Sequence, residues 1–230
     1  VDIRKNLDDV QRRVLDACAR AGRDPGEVKL VAVTKNVDVD RIREAMACGI
    51  RRFGENYVQE ALPKIRALGP GAEWHFIGHL QTNKAKYAVG QFHMIHTVDR
   101  LSLAQELDRR SAQAAPLPIL IQVNVSGEET KSGTPPEALA DLLSGLVRFP
   151  HLRIRGLMSM APFFDDPEVA RPTFRALREW RDRLRDMVSF PHSMDELSMG
   201  MTGDFEAAIE EGATFVRIGT ALFGPRQPWR

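Results

Sequence analysis

Apolar positions along the chain switch repeatedly between two periods. Ile3, Leu7, Val10, Val14, Leu15 and Cys18 recur at helical spacing and Gly22 stops the run, which predicts an N-terminal helix over 3–21. The stretch Val28-Lys29-Leu30-Val31-Ala32-Val33-Thr34-Lys35 is nearly continuous in apolar, β-branched residues, as in a strand buried on both faces of a parallel sheet. Asp38 and Asp40 then open a helix that places Ile42, Ala45 and Met46 on one face, and Gly49 closes it. The strand and helix unit repeats to the end of the chain. Strands are predicted over 52–56, 73–78, 92–98, 118–125, 152–160, 197–201 and 215–223. Helices are predicted over 57–68, 82–89, 101–114, from Pro135-Pro136 toward Phe149, from Asp165-Asp166-Pro167 through Met187, and over 205–211. About eight such units with no Gly/Ser/Pro-rich linker describe an α/β protein, a single (β/α)8 TIM barrel with an extra N-terminal helix, as one domain over 1–230. A doubly wound open sheet needs no eighth strand and usually carries a Gly-rich turn after its first. Neither G-x-G-x-x-G nor a Walker A loop follows the first strand here.

Composition narrows the function classes. Of 230 residues 43% are apolar and 27% charged, enough for a sizeable core. The net charge of +1, with both signs interspersed, argues against a nucleic-acid surface. Cys18 and Cys48 form no close pair, so neither a disulfide framework nor a cysteine metal site is indicated, and reduced thiols in the cytoplasm are expected. No apolar run approaches the ~18 residues of a membrane span, and the N-terminus is amphipathic rather than signal-like.

Candidate chemistry sits at strand ends. Lys35 lies where the first strand hands over to a helix, the edge on which α/β folds place ligands, and is either a solvated loop lysine or a reactive amine. After strands seven and eight, Ser198-Met199-Gly200-Met201-Thr202-Gly203-Asp204 and Gly219-Thr220 combine hydroxyls and glycines, which suits a phosphate cradle or merely a turn with an N-cap. A lysine and a phosphate cradle brought together by barrel closure describe a site for a phosphorylated aldehyde, and pyridoxal 5′-phosphate is the candidate.

The motifs Val31-Ala32-Val33-Thr34-Lys35, Phe53-Gly54-Glu55-Asn56-Tyr57-Val58-Gln59-Glu60, Trp74-His75-Phe76-Ile77-Gly78 with Leu80-Gln81 and Asn83-Lys84, Gly156-Leu157-Met158, Leu197-Ser198-Met199-Gly200-Met201 and Val216-Arg217-Ile218-Gly219-Thr220 occur in this order. With them the chain resembles, over essentially its whole length, the YggS/PROSC-type pyridoxal phosphate homeostasis proteins, which share the alanine-racemase barrel. The resemblance implies that Lys35 carries the cofactor as a Schiff base, that Ser198, Gly219 and Thr220 contact its phosphate, and that Asn56 lies on the cofactor side of strand two. It also implies that Arg217 faces the pyridine nitrogen. An arginine there offers only donors, so it disfavours a protonated ring and weakens the electron sink.

Alanine racemases add a C-terminal β-domain and work a tyrosine opposite the lysine. Here the sequence runs to Arg230 directly after the eighth strand, so a barrel without that β-domain is expected, and Tyr57 and Tyr87 belong to helical units. Proton transfer on both faces of a substrate needs two positioned groups. The resulting expectation is a monomeric cofactor carrier, buffer or regulator that hands pyridoxal phosphate to apo-enzymes, with no nucleic acid, membrane or metal. The alternative is a low-activity amino-acid racemase. Thr34 and Asn36 differ from the residues flanking the lysine in many relatives, and His79 from a common proline. Lys131 matches a lysine of relatives and either assists cofactor exchange or pairs with Glu128 or Glu129. His75 with His79, and His93 with His96 on opposite strand faces, make poor metal sites.

Overall fold

The computed structural model describes residues 1–128, 131–162 and 166–225, so the predicted helix start at Asp165 and the pairing partner Glu129 lie outside the described residues. The apolar runs pair side by side, all parallel and in sequence order, into a closed barrel. Its strands are β1 (Lys29–Val33), β2 (Arg52–Glu55), β3 (Glu73–Phe76), β4 (Met94–Val98), β5 (Leu117–Gln122), β6 (Leu152–Met158), β7 (Glu196–Met201) and β8 (Phe215–Ile218). The helices are α1 (Ile3–Ala21), α2 (Val39–Ala47), α3 (Val58–Leu68), α4 (Ala85–Ala88), α5 (Leu101–Ser111), α6 (Leu139–Leu146), α7 (Arg171–Leu184), α8 (Phe205–Glu210) and α9 (Thr220–Phe223). The eighth strand closes on the first with Val31 opposite Arg217 and Ala32 opposite Ile218, so Val33 at the end of β1 and Gly219 after β8 share one cavity wall.

Two apolar layers explain the unbroken hydrophobic runs. Ala32, Phe53, Trp74 and Ile95 are buried with the helices outside the barrel, while Gly54 faces the interior, where a Cβ would meet the side chains of Ile77 and Val31 at 2.8 and 2.9 Å. The extra helix α1 is capped by Asp2, whose side chain accepts from Lys5 N, and ended by Gly22 at φ 63°. It buries Ile3, Leu7 and Val10, each contributing about 1.5–3 kcal/mol. Asn6 donates to the Leu222 carbonyl at 2.8 Å, so α1 is tied to the segment that follows β8.

The last strand is shorter than its apolar run. The predicted strand over 215–223 ends at Ile218, and Gly219 (φ −114°, ψ −78°) turns the chain into α9. Short apolar runs carry no period that separates strand from helix, and Leu222 is buried in either case. Likewise β5 and β6 stop at Gln122 and Met158, with the remaining residues in loops at the barrel mouth. No helix among the described residues is long and apolar enough to cross a membrane.

Candidate cofactor site

A cavity of about 380 Å³ opens at the C-terminal mouth, lined by Val33, Asn56, Ile77, Met160, Met201, Thr202, Gly203, Asp204, Arg217, Gly219 and Thr220. This is the end of the barrel on which such folds bind ligands. Asn56, Arg217, Gly219 and Thr220 are thus brought together as expected from the sequence. Ser198 is not: it sits three residues below the end of β7, is fully buried, and points along the barrel interior. The β7 to β8 register shifts between Ser198 and Met201, and Gly200 adopts φ 89°, so it is Thr202 and Gly203 that reach the cavity. Asp204 holds this loop by accepting from Met201 N at 2.6 Å; burial pushes its carboxyl up, countered by that hydrogen bond and by the Arg217 charge.

Arg217 is buried and doubly anchored. Its Nη1 donates to Ser198 Oγ at 2.7 Å and its Nη2 to the Ser159 carbonyl at 2.8 Å. Burial pulls the guanidinium down to about 10, which leaves it charged at neutral pH. Below it, Ser198 Oγ lies 2.9 Å from His96 Nδ1, and His96 Nε2 lies 2.8 Å from His75 Nδ1. Burial, with neighbouring cations, pushes His75 down to about 3 and His96 far below its ordinary value, so both are neutral in the folded protein. Both histidines regain ordinary values on unfolding, so their contribution is complete above about pH 6.5 and is lost as pH falls toward 3. His75 alone is expected to cost about 2 kcal/mol between pH 7 and 5, with His96 acting in the same direction. Urea unfolding at the two pH values checks this, and His75→Gln should flatten the dependence.

Lys35, also expected in the site, is not among the residues lining the cavity: it stands two residues past Val33 of its wall, half-buried, with its Nζ 5.1 Å from the centre of the Tyr57 ring. Its turn is held from behind by a group that sequence reasoning missed. Lys64 of α3 donates to the Thr34 carbonyl at 2.7 Å, Glu55 Oε1 at 2.8 Å and Glu60 Oε1 at 2.7 Å. Thr34 Oγ1 also donates to Glu55 at 2.6 Å, and Asn36 N, at φ 61°, donates to Glu60 at 2.6 Å. Every proton of the Lys64 ammonium is therefore engaged, whereas Lys35 has no carboxylate partner among the described residues. Burial, opposed by Lys64, pushes the Glu55 carboxyl up.

Neighbouring candidates fall just outside the cavity. Lys131 pairs with Glu128 at 3.0 Å and shares a separate, smaller hollow with His79, whose Nδ1 is 3.2 Å from Ser132 Oγ. Tyr57, which the sequence assigned to a helical unit, caps α3 with its ring beside Lys35. Gly78 packs directly on the chain that carries Asn56: a Cβ there would lie 2.2 Å from the Asn56 carbonyl oxygen and 2.6 Å from its Cα. Backbone cannot yield as a side chain does. Gly78→Ala is expected to lose about 3 kcal/mol of stability, read from thermal melts, and to weaken any ligand that touches Asn56.

Comparison with known proteins agrees with this geometry. Residues 5–227 match the family described as alanine racemase, N-terminal domain. The chain is 48% identical over 227 residues to the pyridoxal phosphate homeostasis protein of Aquifex aeolicus, covering 97% of this chain and 98% of that one. It is 45% identical over 234 residues to the protein of the same name from Escherichia coli, covering 98% and 97%. The solved structure of PipY from Synechococcus elongatus with PLP bound superposes with a TM-score of 0.84 at 36% identity, covering 96% of this chain and all (100%) of that one. Alanine racemase from Corynebacterium glutamicum shares the fold at a TM-score of 0.74 and 18% identity, with 97% of this chain aligned to 61% of the racemase. The barrel, its mouth cavity and these likenesses together show that the chain belongs to the pyridoxal phosphate homeostasis protein family, within the alanine racemase N-terminal domain family.

Proposed function

We propose that this chain holds pyridoxal 5′-phosphate in the mouth cavity, covalently through Lys35, and carries, buffers or supplies it rather than turning over substrate efficiently. The observation that carries this reading is one cavity in which a buried, donor-only Arg217 faces the hydroxyl and glycine loops of Thr202-Gly203 and Gly219-Thr220, with Lys35 uncommitted two residues beyond Val33 of its wall. The residues suit the group. A small cofactor fits about 380 Å³, and Asn56 Oδ1 is a buried acceptor, unpaired among the described residues, that a ligand hydroxyl can satisfy.

When bound, pyridoxal phosphate supplies an aldehyde that condenses with a primary amine and a ring that stabilises charge on the attached carbon. Lys35 is the amine. Thr202, Thr220 and the glycine backbone hold the phosphate, close to the start of α8. Arg217 presents only N–H groups to the ring nitrogen, keeps it unprotonated, and so restrains carbanion chemistry. Among the described residues lining the cavity, Asp204 is the one carboxylate, and it is already committed to Met201 N. A second positioned acid or base is what efficient two-face proton transfer needs. The same reading takes the protein as a cytoplasmic monomer that passes cofactor to apo-enzymes.

A limited racemase is the second reading, favoured by the Tyr57 ring 5.1 Å from Lys35. Borohydride reduction of the loaded protein followed by peptide mapping tests the main reading. The label is expected on Lys35; labelling at Lys131, or failure to load, would overturn it. Incubation with single-enantiomer amino acids separates the two readings, since Lys35-dependent racemisation near ~10 s⁻¹ would establish an enzyme.

A further inference from the structure

The interior of the barrel carries a polar chain anchored at one end by a group that can only donate. A guanidinium has no acceptor, so Arg217 Nη1 must donate to Ser198 Oγ at 2.7 Å. Ser198 Oγ lies 2.9 Å from His96 Nδ1, the acceptor its own hydrogen can use while its lone pair receives Arg217. With Nδ1 accepting, a neutral His96 carries its hydrogen on Nε2 and donates it to His75 Nδ1 at 2.8 Å. His75 in turn keeps its hydrogen on Nε2, which faces Glu73 Oε2 at 4.0 Å.

Packing holds these rings in place. Phe215 lies against both imidazoles, with ring centres 5.5 Å from His75 and 5.3 Å from His96, and His96 has no exposed surface. In the other tautomer Ser198 Oγ would accept from both Arg217 and His96, and its own hydrogen would need a further acceptor. Ser198, held by His96, therefore fixes one edge of the guanidinium, with the Ser159 carbonyl as the second anchor at 2.8 Å, and leaves the remaining N–H groups for the cavity.

We propose that His96, backed by His75, is a positioning residue for cofactor binding: through Ser198 it orients the Arg217 guanidinium toward the ring. It touches no cofactor itself. The proposal rests on reading the mouth cavity as the pyridoxal phosphate site. It also gives Ser198 a role distinct from the phosphate contact expected of it.

The test is titration of the purified protein with pyridoxal phosphate, following affinity and the visible band, in wild type, His96→Leu, His96→Gln and Ser198→Ala. Glutamine keeps one acceptor and one donor at the separation found in imidazole but cannot titrate. His96→Gln should bind within about 3-fold of wild type with an unshifted band, whereas His96→Leu and Ser198→Ala should bind about 10-fold more weakly with a shifted band. Circular dichroism and thermal melts confirm that each variant is folded. Ser198→Ala removes a single oxygen, so it reports on the chain even where His96→Leu fails to fold. Wild-type affinity in folded His96→Leu or Ser198→Ala would overturn the proposal alone, as would a His96→Gln variant as impaired as His96→Leu. A wild type that never loads would overturn the cofactor reading and the proposal with it.

Discussion

Lys35→Ala is expected to abolish covalent loading with pyridoxal phosphate while leaving the fold intact. The lysine makes no hydrogen bond or ion pair among the described residues beyond its approach to Tyr57, so its removal is expected to change stability by no more than about 0.5 kcal/mol. Other lysines near the mouth are engaged. Lys64 gives its protons to Thr34, Glu55 and Glu60, and Lys131 is paired with Glu128. Lys84 lies over the Tyr87 ring at 5.9 Å, in the neighbouring hollow rather than the main cavity. Arg217, Gly219 and Thr220 survive the substitution, so weaker, non-covalent binding should persist. Intact mass after borohydride reduction reads the covalent step directly: one cofactor added to wild type, none to Lys35→Ala. Stoichiometric labelling of the variant would show that another amine serves the site.

How far the sequence disclosed this site follows from what each signal depends on. The strands were legible because burial on both faces leaves an apolar run with no gaps, as in Val31-Ala32-Val33 and Ile119-Leu120-Ile121. The Gly219-Thr220 pair was legible as part of the cavity wall because strand ends in this fold face the mouth. Ser198 was assigned to the phosphate as a hydroxyl in a glycine-rich stretch and by the family resemblance. Its true direction depends on the irregular register of β7 against β8, which no local pattern encodes. The histidine chain was illegible for the same reason. His75 and His96 meet only after the tilt of β3 and β4 offsets them, His75 pairing in register with Met94. Lys64 did leave a trace: Val58, Ala61 and Lys64 are spaced by three and share the buried face of α3, and a charge on an apolar stripe calls for a buried partner. The partner, Glu55, lies on a strand that was read only for its ends.

That buried group carries the second large expectation. Lys64→Ala strands Glu55, whose side chain has no exposed surface, and loses the donors to Glu60 and the Thr34 carbonyl. Breaking a buried ion pair by removing one partner costs about 3–5 kcal/mol, a large share of the ~5–15 kcal/mol that holds a typical domain together. Urea unfolding should show this loss at neutral pH. The pH dependence gives the cause away. Burial already pushes the Glu55 carboxyl above its ordinary 4.5, and without Lys64 only the Thr34 hydroxyl opposes that rise. A carboxyl whose folded value is raised contributes stability below its unfolded value and loses it as pH climbs, so the deficit of Lys64→Ala should be smallest near pH 4.5 and grow toward neutrality. Adding Glu55→Gln to Lys64→Met should recover part of the loss, because a neutral pair needs no counter-charge. A loss under about 1 kcal/mol, or one that does not vary with pH, would mean that water reaches Glu55 and that the turn bearing Lys35 is held by other contacts.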